Sequence, residues 1–97
     1  MKIFTVYDSK AEAFLQPFFL PAAGAAIRAC ENALKQSDHP FSLSPGDYTL
    51  FEIGSWDATD GVYIPHDAHV NLGNLISLMS FEGHTPPSFK EINSEAV

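Results

Sequence analysis

The stretch that decides the fold is Gly46 to His66, GDYTLFEIGSWDATDGVYIPH, which reads as a β-hairpin. Along its first arm, Asp47 to Trp56, successive side chains face opposite ways. Tyr48, Leu50 and Trp56 then share one side, with Glu52 between them, and Thr49, Phe51 and Ile53 share the other. Apolar residues on both sides predict an inner strand. The second arm is Val62, Tyr63 and Ile64, β-branched and aromatic types that suit a pleated surface. Between the arms, Asp57-Ala58-Thr59-Asp60-Gly61 has the chemistry of a turn. Gly61 reaches positive φ at little cost, and Asp60 can bond nearby backbone amides. Pro65 donates nothing to a ladder, so it ends the second arm or puts it at a sheet edge.

On the N-terminal side, Lys2 to Tyr7 (KIFTVY) predicts another strand, with Phe4 and Val6 on one face and Ile3, Thr5 and Tyr7 on the other. Asp8-Ser9-Lys10 is a polar break, and Ala11 to Phe14 tolerates a helical turn. Leu15 to Leu20 reads as an extended segment, and Pro17 inside it marks an edge or a bulge. Pro21 to Gln36 (PAAGAAIRACENALKQ) predicts the main helix, with Pro21 suited to its first position. Ala23, Ile27, Cys30 and Leu34 make one apolar stripe, while Arg28, Glu31 and Lys35 lie off it. Ser37-Asp38-His39-Pro40 stops the helix, because proline disfavours helical geometry in the residue before it. Phe41 to Pro45 reads as a connecting loop.

Beyond the hairpin, Val70 to Met79 suits either a short helix, with Leu72, Leu75, Ile76 and Met79 on one face, or one more strand; Gly73 weakens the helix. From Ser80 on, Gly83, Pro86 and Pro87 with scattered charges read as a tail. The expected architecture is α+β: a four-stranded, mainly antiparallel sheet in the order β-β-α-β-β, one main helix on one face, and a short C-terminal element. Residues 1–80 form a single domain in this reading, with 81–97 as the tail. One helix covers one face, so the other shows several of Ile3, Tyr7, Phe18, Phe19, Tyr48, Leu50, Trp56 and Tyr63. Such patches mark interfaces. Either the sheet curls into a barrel-like core or the protein self-associates, and a homodimer is expected.

A chain of 97 residues buries roughly 60–70% of its unfolded surface, enough for one core with little to spare. Eight Phe, three Tyr and one Trp are too many aromatics for a disordered protein. A lone cysteine, Cys30, excludes an intramolecular disulfide and fits a reducing compartment. The N-terminus runs straight into a strand pattern, so no signal peptide is expected, and no apolar run approaches a membrane span. The net charge of −7 is unevenly spread: residues 1–35 sum to +1 and residues 36–97 to −8, with no Lys or Arg from Gln36 to Phe89. An acidic surface repels phosphate, which argues against nonspecific nucleic-acid binding through the hairpin.

Little in the sequence suggests catalysis. His66-Asp67-x-His69 is the one metal-like cluster, and its spacing matches no established zinc pattern; surface or packing histidines explain it better. Cys30 sits on the helix's apolar stripe, where cysteine acts as a small hydrophobe. No phosphate-binding or dinucleotide glycine motif is present. The protein does not read as an enzyme, and no cofactor or metal is expected. Nucleic-acid binding has one seat: Lys2, Lys10, Arg28 and Lys35 accompany Tyr7, Phe14, Phe18 and Phe19, and aromatics beside basic groups hold single strands by stacking. The competing interpretation makes these aromatics core and these cations ordinary surface. A protein-binding face would instead use Tyr48, Glu52, Trp56, Asp57, Asp60 and Tyr63.

Two segments, Val6 to Pro21 (VYDSKAEAFLQPFFLP), followed by the alanine-rich AIRAC helix, and Asp47 to Gly61 (DYTLFEIGSWDATDG), resemble the small nonstructural protein of gokushoviruses, the Microviridae phages with circular single-stranded DNA genomes. The resemblance covers roughly the first two thirds of the chain. It implies a phage protein made in the infected bacterial cytoplasm. It also implies DNA binding, or a role in the switch from double-stranded replication to single-stranded genome synthesis and packaging. Two hypotheses follow. In the first, single-stranded DNA is held by the aromatic and basic N-terminal face. In the second, an adapter or inhibitor docks on a basic partner, such as the phage replication initiator or a host replication protein. A DNA mimic that blocks a host nuclease is compatible with the charge alone.

Overall fold

The computed structural model describes residues 1–79. Its strands are β1 (Lys2–Asp8), β2 (Ala13–Phe14), β3 (Phe18–Leu20), β4 (Tyr48–Asp57) and β5 (Val62–Asn74), and its helices are α1 (Ala23–Leu34), α2 (Pro40–Leu43) and α3 (Leu75–Met79). All pairings are antiparallel, and the sheet runs β2, β1, β4, β5, with β3 also pairing β1. The α+β class is therefore as expected, with β4 an inner strand. The tail anticipated over 81–97 lies outside the described residues.

Of the extended segment predicted at Leu15 to Leu20 only Phe18–Leu20 is strand, while β2 falls just before it. Pro17, which cannot donate to the ladder, separates β2 from β3, and the two short strands share one edge of β1. Ala11 to Phe14 makes a turn and then β2 instead of a helical turn. Asp8 holds that turn by accepting from the Lys10 and Ala11 amides at 3.0 and 3.2 Å. Helix α1 is shorter than predicted. Ala22 caps it in an extended conformation, so Pro21 stands before the cap and not at the first helical position.

Helix α1 turns Ala26, Cys30 and Leu34 inward, with Ala23 and Ile27 alongside, onto Phe4, Val6 and Leu50 of the sheet. Ala26 is fully buried, and its small side chain lets the helix approach closely. Phe41 from α2 and Leu75 and Leu78 from α3 complete the same core, so all three helices lie on one side of the sheet. Phe4, Leu50 and Leu75 are its largest fully buried side chains. Truncating any of them to alanine should cost about 2–5 kcal/mol.

Two further expectations are corrected, and of the two readings of Pro65 the edge position holds. The Phe41 to Pro45 loop contains helical turns: α2, capped by the His39 Nδ1 accepting from the Phe41 amide at 3.0 Å, and a 3-10 turn at Pro45–Asp47. Pro65 does not end the second hairpin arm. It sits within β5 on the open edge of the sheet, where a missing donor costs least. Val70 to Met79 is neither all helix nor all strand, because β5 continues to Asn74 and Asn74 Oδ1 then accepts from the Ile76 amide at the start of α3.

The largest departure lies in β4. Its register jumps so that Phe4 pairs with Glu52 but Ile3 pairs with Gly54, leaving Ile53 as an extra residue. A bulge of this kind reverses the alternation beyond it. Trp56 therefore leaves the side of Tyr48, Leu50 and Glu52 and joins the side of Phe51. On β5, Glu52 pairs with Val70 and Gly54 with Pro65, so His66 to His69 protrude opposite Ile53.

Gly54 tests this arrangement. A Cβ there would sit 2.6 Å from the Ile64 carbonyl oxygen and 3.1 Å from the Pro65 Cα, both backbone atoms. Gly54→Ala should lower stability by about 1–3 kcal/mol, seen as a Tm drop of roughly 4–8 °C per kcal/mol. Gly24→Ala, in a helical site with nothing within 4 Å, should raise the Tm, by about 0.5–1 kcal/mol of stability.

Candidate functional site

The sheet has a helix side and an open side, and strand register assigns residues to each. Phe4 pairs with Phe18 and Glu52, Val6 with Leu50, and Asp8 with Tyr48, all facing the helices. The opposite face carries Ile3 paired with Phe19, Thr5 with Phe51, Tyr7 with Phe14 and Thr49, Phe51 with Asn71, and Trp56 with Tyr63. Of the expected open-face residues, Ile3, Tyr7, Phe19, Trp56 and Tyr63 lie there. Phe18, Tyr48 and Leu50 instead face the helices, Phe18 stacking on Phe4 at 5.8 Å and Tyr48 lying 4.7 Å from Phe41.

Two aromatic groups occupy the open face. In the first, Tyr7 and Phe14 have centroids 4.8 Å apart, Phe14 meets Phe51 edge-on at 5.9 Å, and His69 meets Phe14 at 5.5 Å and Phe51 at 6.0 Å. In the second, Phe19 meets Trp56 edge-on at 6.2 Å, beside Tyr63. Ile3 and Thr5 are buried beneath this layer although no helix lies over them. The Thr5 hydroxyl is satisfied by donating to the Leu15 carbonyl at 2.6 Å. The rings above remain open to solvent: Phe14 is 49% exposed, Phe19 45%, Trp56 38% and Tyr63 63%. None of the residues that register places here is an Asp, Glu, Lys or Arg.

Three of the strand carboxylates lie on the other side, and the fourth, Asp67, is exposed on the β5 protrusion. Asp8 faces the helices, as do Glu52 and Asp57, which pairs with Val62 after the bulge. Glu52 is buried, with one carboxylate oxygen 2.7 Å from His66 Nε2 and 3.4 Å from Lys2 Nζ. Asp57 closes the hairpin turn, its carboxylate accepting from the Thr59 and Asp60 amides at 2.9 and 3.2 Å. Gly61 adopts φ +70° in this turn and Asp60 is exposed.

The candidate nucleic-acid residues are thus split. Tyr7, Phe14 and Phe19 come together on the open face, with Lys10 in the adjoining β1–β2 turn. Phe18 packs against the core, Lys2 is held by Glu52 on the helix side, and Arg28 on α1 and Lys35 at its C-terminal cap are exposed, across the sheet from the aromatics. The candidate partner residues divide similarly: Tyr48 and Glu52 on the helix side, Trp56 and Tyr63 on the open face, Asp57 and Asp60 at the turn. Phe51 and His69 join the aromatic layer without having been singled out, and their adjacency depends on the bulge and the protrusion.

His66 and His69 depart to opposite faces, so their sequence spacing does not make a shared site. Among the described residues, no group of three His, Cys, Asp or Glu is placed to hold a metal ion. An apolar cavity of about 300 Å³ lies between the β2–β3 edge and the helices, lined by Val6, Leu15, Gln16, Phe18, Ala29, Cys30 and Phe41. Burial, and then the Glu31 carboxylate, push the Cys30 thiol up to about 11, so it is protonated and weakly nucleophilic at neutral pH. Tyr48 is also raised, by burial and then by Asp8 and Asp47.

The family model described as Phage ORF5 protein matches residues 1–78. The chain belongs to that family. The match spans every strand, and it takes in both segments on which the phage resemblance rests. No match was found among curated proteins or among solved structures. No helix among the described residues is long and apolar enough to cross a membrane.

The Cys30 thiol gives a pH prediction. Its pKa is higher in the folded than in the unfolded chain, so the unfolded chain loses this proton first as pH rises. Stability from this group is present below about pH 9 and is lost as pH rises toward about 11. Urea melts of the wild type against Cys30→Ala should show the wild type losing more stability over this interval. A disulfide reagent near neutral pH should label Cys30 only after unfolding.

Proposed function

We propose that this member of the Phage ORF5 family is a non-enzymatic protein of viral DNA replication, acting in single-stranded genome synthesis or packaging by holding single-stranded DNA on its open aromatic face. The carrying observation is the layer of Tyr7, Phe14, Phe19, Phe51 and Trp56 on an uncovered antiparallel sheet, with Phe14, Phe19 and Trp56 exposed to water. Each such ring offers a π-face to a base, and every base can use it. The overall negative charge is a weaker objection than it first looks, because Asp8, Glu52 and Asp57 are on the helix side, which leaves Asp67 on the protrusion as the one strand carboxylate outside that side. The gokushovirus resemblance of Val6 to Pro21 and Asp47 to Gly61 supplies the genome type and the host bacterial cytoplasm as the place of action. No cofactor enters this reading.

Stacking without many cations has a signature. Trp56 is the only tryptophan, so its fluorescence should be quenched when an oligothymidylate is added at low salt. Phe14→Ala and Phe19→Ala should each weaken binding by about 1–3 kcal/mol, while Arg28→Glu and Lys35→Glu should change it little. The slope of log affinity against log salt should be shallow, corresponding to about one or two phosphates at roughly −0.7 each. Absence of quenching at low salt would sink this reading.

A second reading is favoured by the hairpin tip. Val62, Tyr63 and Ile64 are 48%, 63% and 51% exposed, beside the carboxylates of Asp57 and Asp60. That patch suits a second copy, giving a homodimer, or a basic protein such as the phage replication initiator or a host replication protein. Because Asp57 also closes the turn, Asp60→Asn is the cleaner probe of charge. Light scattering on a sizing column should report a mass of two chains that Tyr63→Ser and Ile64→Ser together reduce to one; a monomer in the wild type would remove the homodimer.

A further inference from the structure

We infer that His69 is a nucleic-acid contact on the open face and that its protonation makes single-stranded DNA bind more tightly as pH falls; this rests on the single-strand reading above. His69 is exposed and reaches the aromatic layer because His66 to His69 protrude from β5 opposite Ile53. Its ring stands almost perpendicular to Phe14, at 84°, and edge-on to Phe51. An aromatic face carries a negative quadrupole that attracts a cation within about 6 Å of its centroid. Both centroid distances, 5.5 and 6.0 Å, fall within that range.

The surroundings make the added charge count. Strand register places no Lys or Arg on this face, and Phe14 and Phe51 bring no charge. The other titratable or charged groups on this face or at its border are Tyr7 on β1, Lys10 and Glu12 in the β1–β2 turn, and Tyr63 and Asp67 on β5, while Asp8, Tyr48, Glu52 and Asp57 of the same strands face the helices. His66 lies on the far side, against Glu52, with Lys2 beside it. Protonated His69 therefore gives the stacking layer a cation beside the rings, where a phosphate between two stacked bases would run. Neutral His69 leaves stacking alone. The same face therefore grips a strand harder when His69 carries its second proton.

The test is Trp56 fluorescence titration with an oligothymidylate of about 12 nucleotides, whose bases do not titrate here, at about pH 5.5 and about pH 7.5. Wild type should bind about three- to tenfold more tightly at the lower pH. His69→Gln should bind equally at both, matching wild type at the higher pH, and His69→Lys should bind at both as wild type does at the lower. His66→Gln should keep the wild-type ratio, since its partner is Glu52. Binding without pH dependence in the wild type overturns this inference and leaves the single-strand reading intact. So does a ratio lost in His66→Gln but kept in His69→Gln. Absence of binding at both pH values overturns the single-strand reading and this inference with it. Circular dichroism of each variant at both pH values separates lost contact from lost fold.

Discussion

Gly54 lies so close to the neighbouring strand that a methyl group there would meet the Ile64 carbonyl oxygen at 2.6 Å. This close approach lets β4 carry one extra residue, Ile53, while staying paired with β1 and β5. The rest of the surface depends on that extra residue. Without it, Trp56 would face the helix side. With it, the sheet has a face on which Phe19, Trp56 and Tyr63 sit together, and opposite it the longer β5 protrudes, sending His66 to one side and His69 to the other. Glycine meets the steric demand because any other residue brings a Cβ into the carbonyl.

The same register separates charge from aromatic surface. In a chain with a net charge of −7, Asp8, Glu52 and Asp57 fall on the helix side, and Asp67 sits on the protrusion outside the paired ladder. Glu52 is the costliest of them, a buried charge that is stable only if paired. Lys2 and His66 supply that pairing, and in doing so they tie the first residues of β1 to the start of the protrusion. A patch of apolar rings on a small acidic domain is thus a product of alternation within strands, with the bulge setting its phase.

The core beneath is small. Phe4, Val6 and Leu50 meet Ala26, Cys30 and Leu34, and α2 and α3 close the sides with Phe41, Leu75 and Leu78. Ile3 and Thr5 add a second buried layer under the open-face rings, which therefore stabilise the domain as well as offering surface. Substitutions in that layer reach both properties. The more exposed rings, Phe14 and Phe19, separate binding from folding better than Phe51 does.

By itself the sequence determined the elements that local physics controls. Alternation in Tyr48 to Ile53, the turn chemistry of Asp57 to Gly61, and the stripe running through Cys30 and Leu34 led to the α+β class, the inner strand and the main helix. It also carried two segments that resemble a phage protein, and a phage family, described as Phage ORF5 protein, holds over residues 1–78. Tertiary structure alone decided which face each side chain occupies beyond Ile53, how far β5 continues past Pro65, and that Arg28 and Lys35 lie across the sheet from Phe14 and Phe19. The physical reason is that strand periodicity is known only up to a phase. A single bulged residue inverts that phase, and a bulge is set by how closely two backbones approach in space, which no spacing along one chain records.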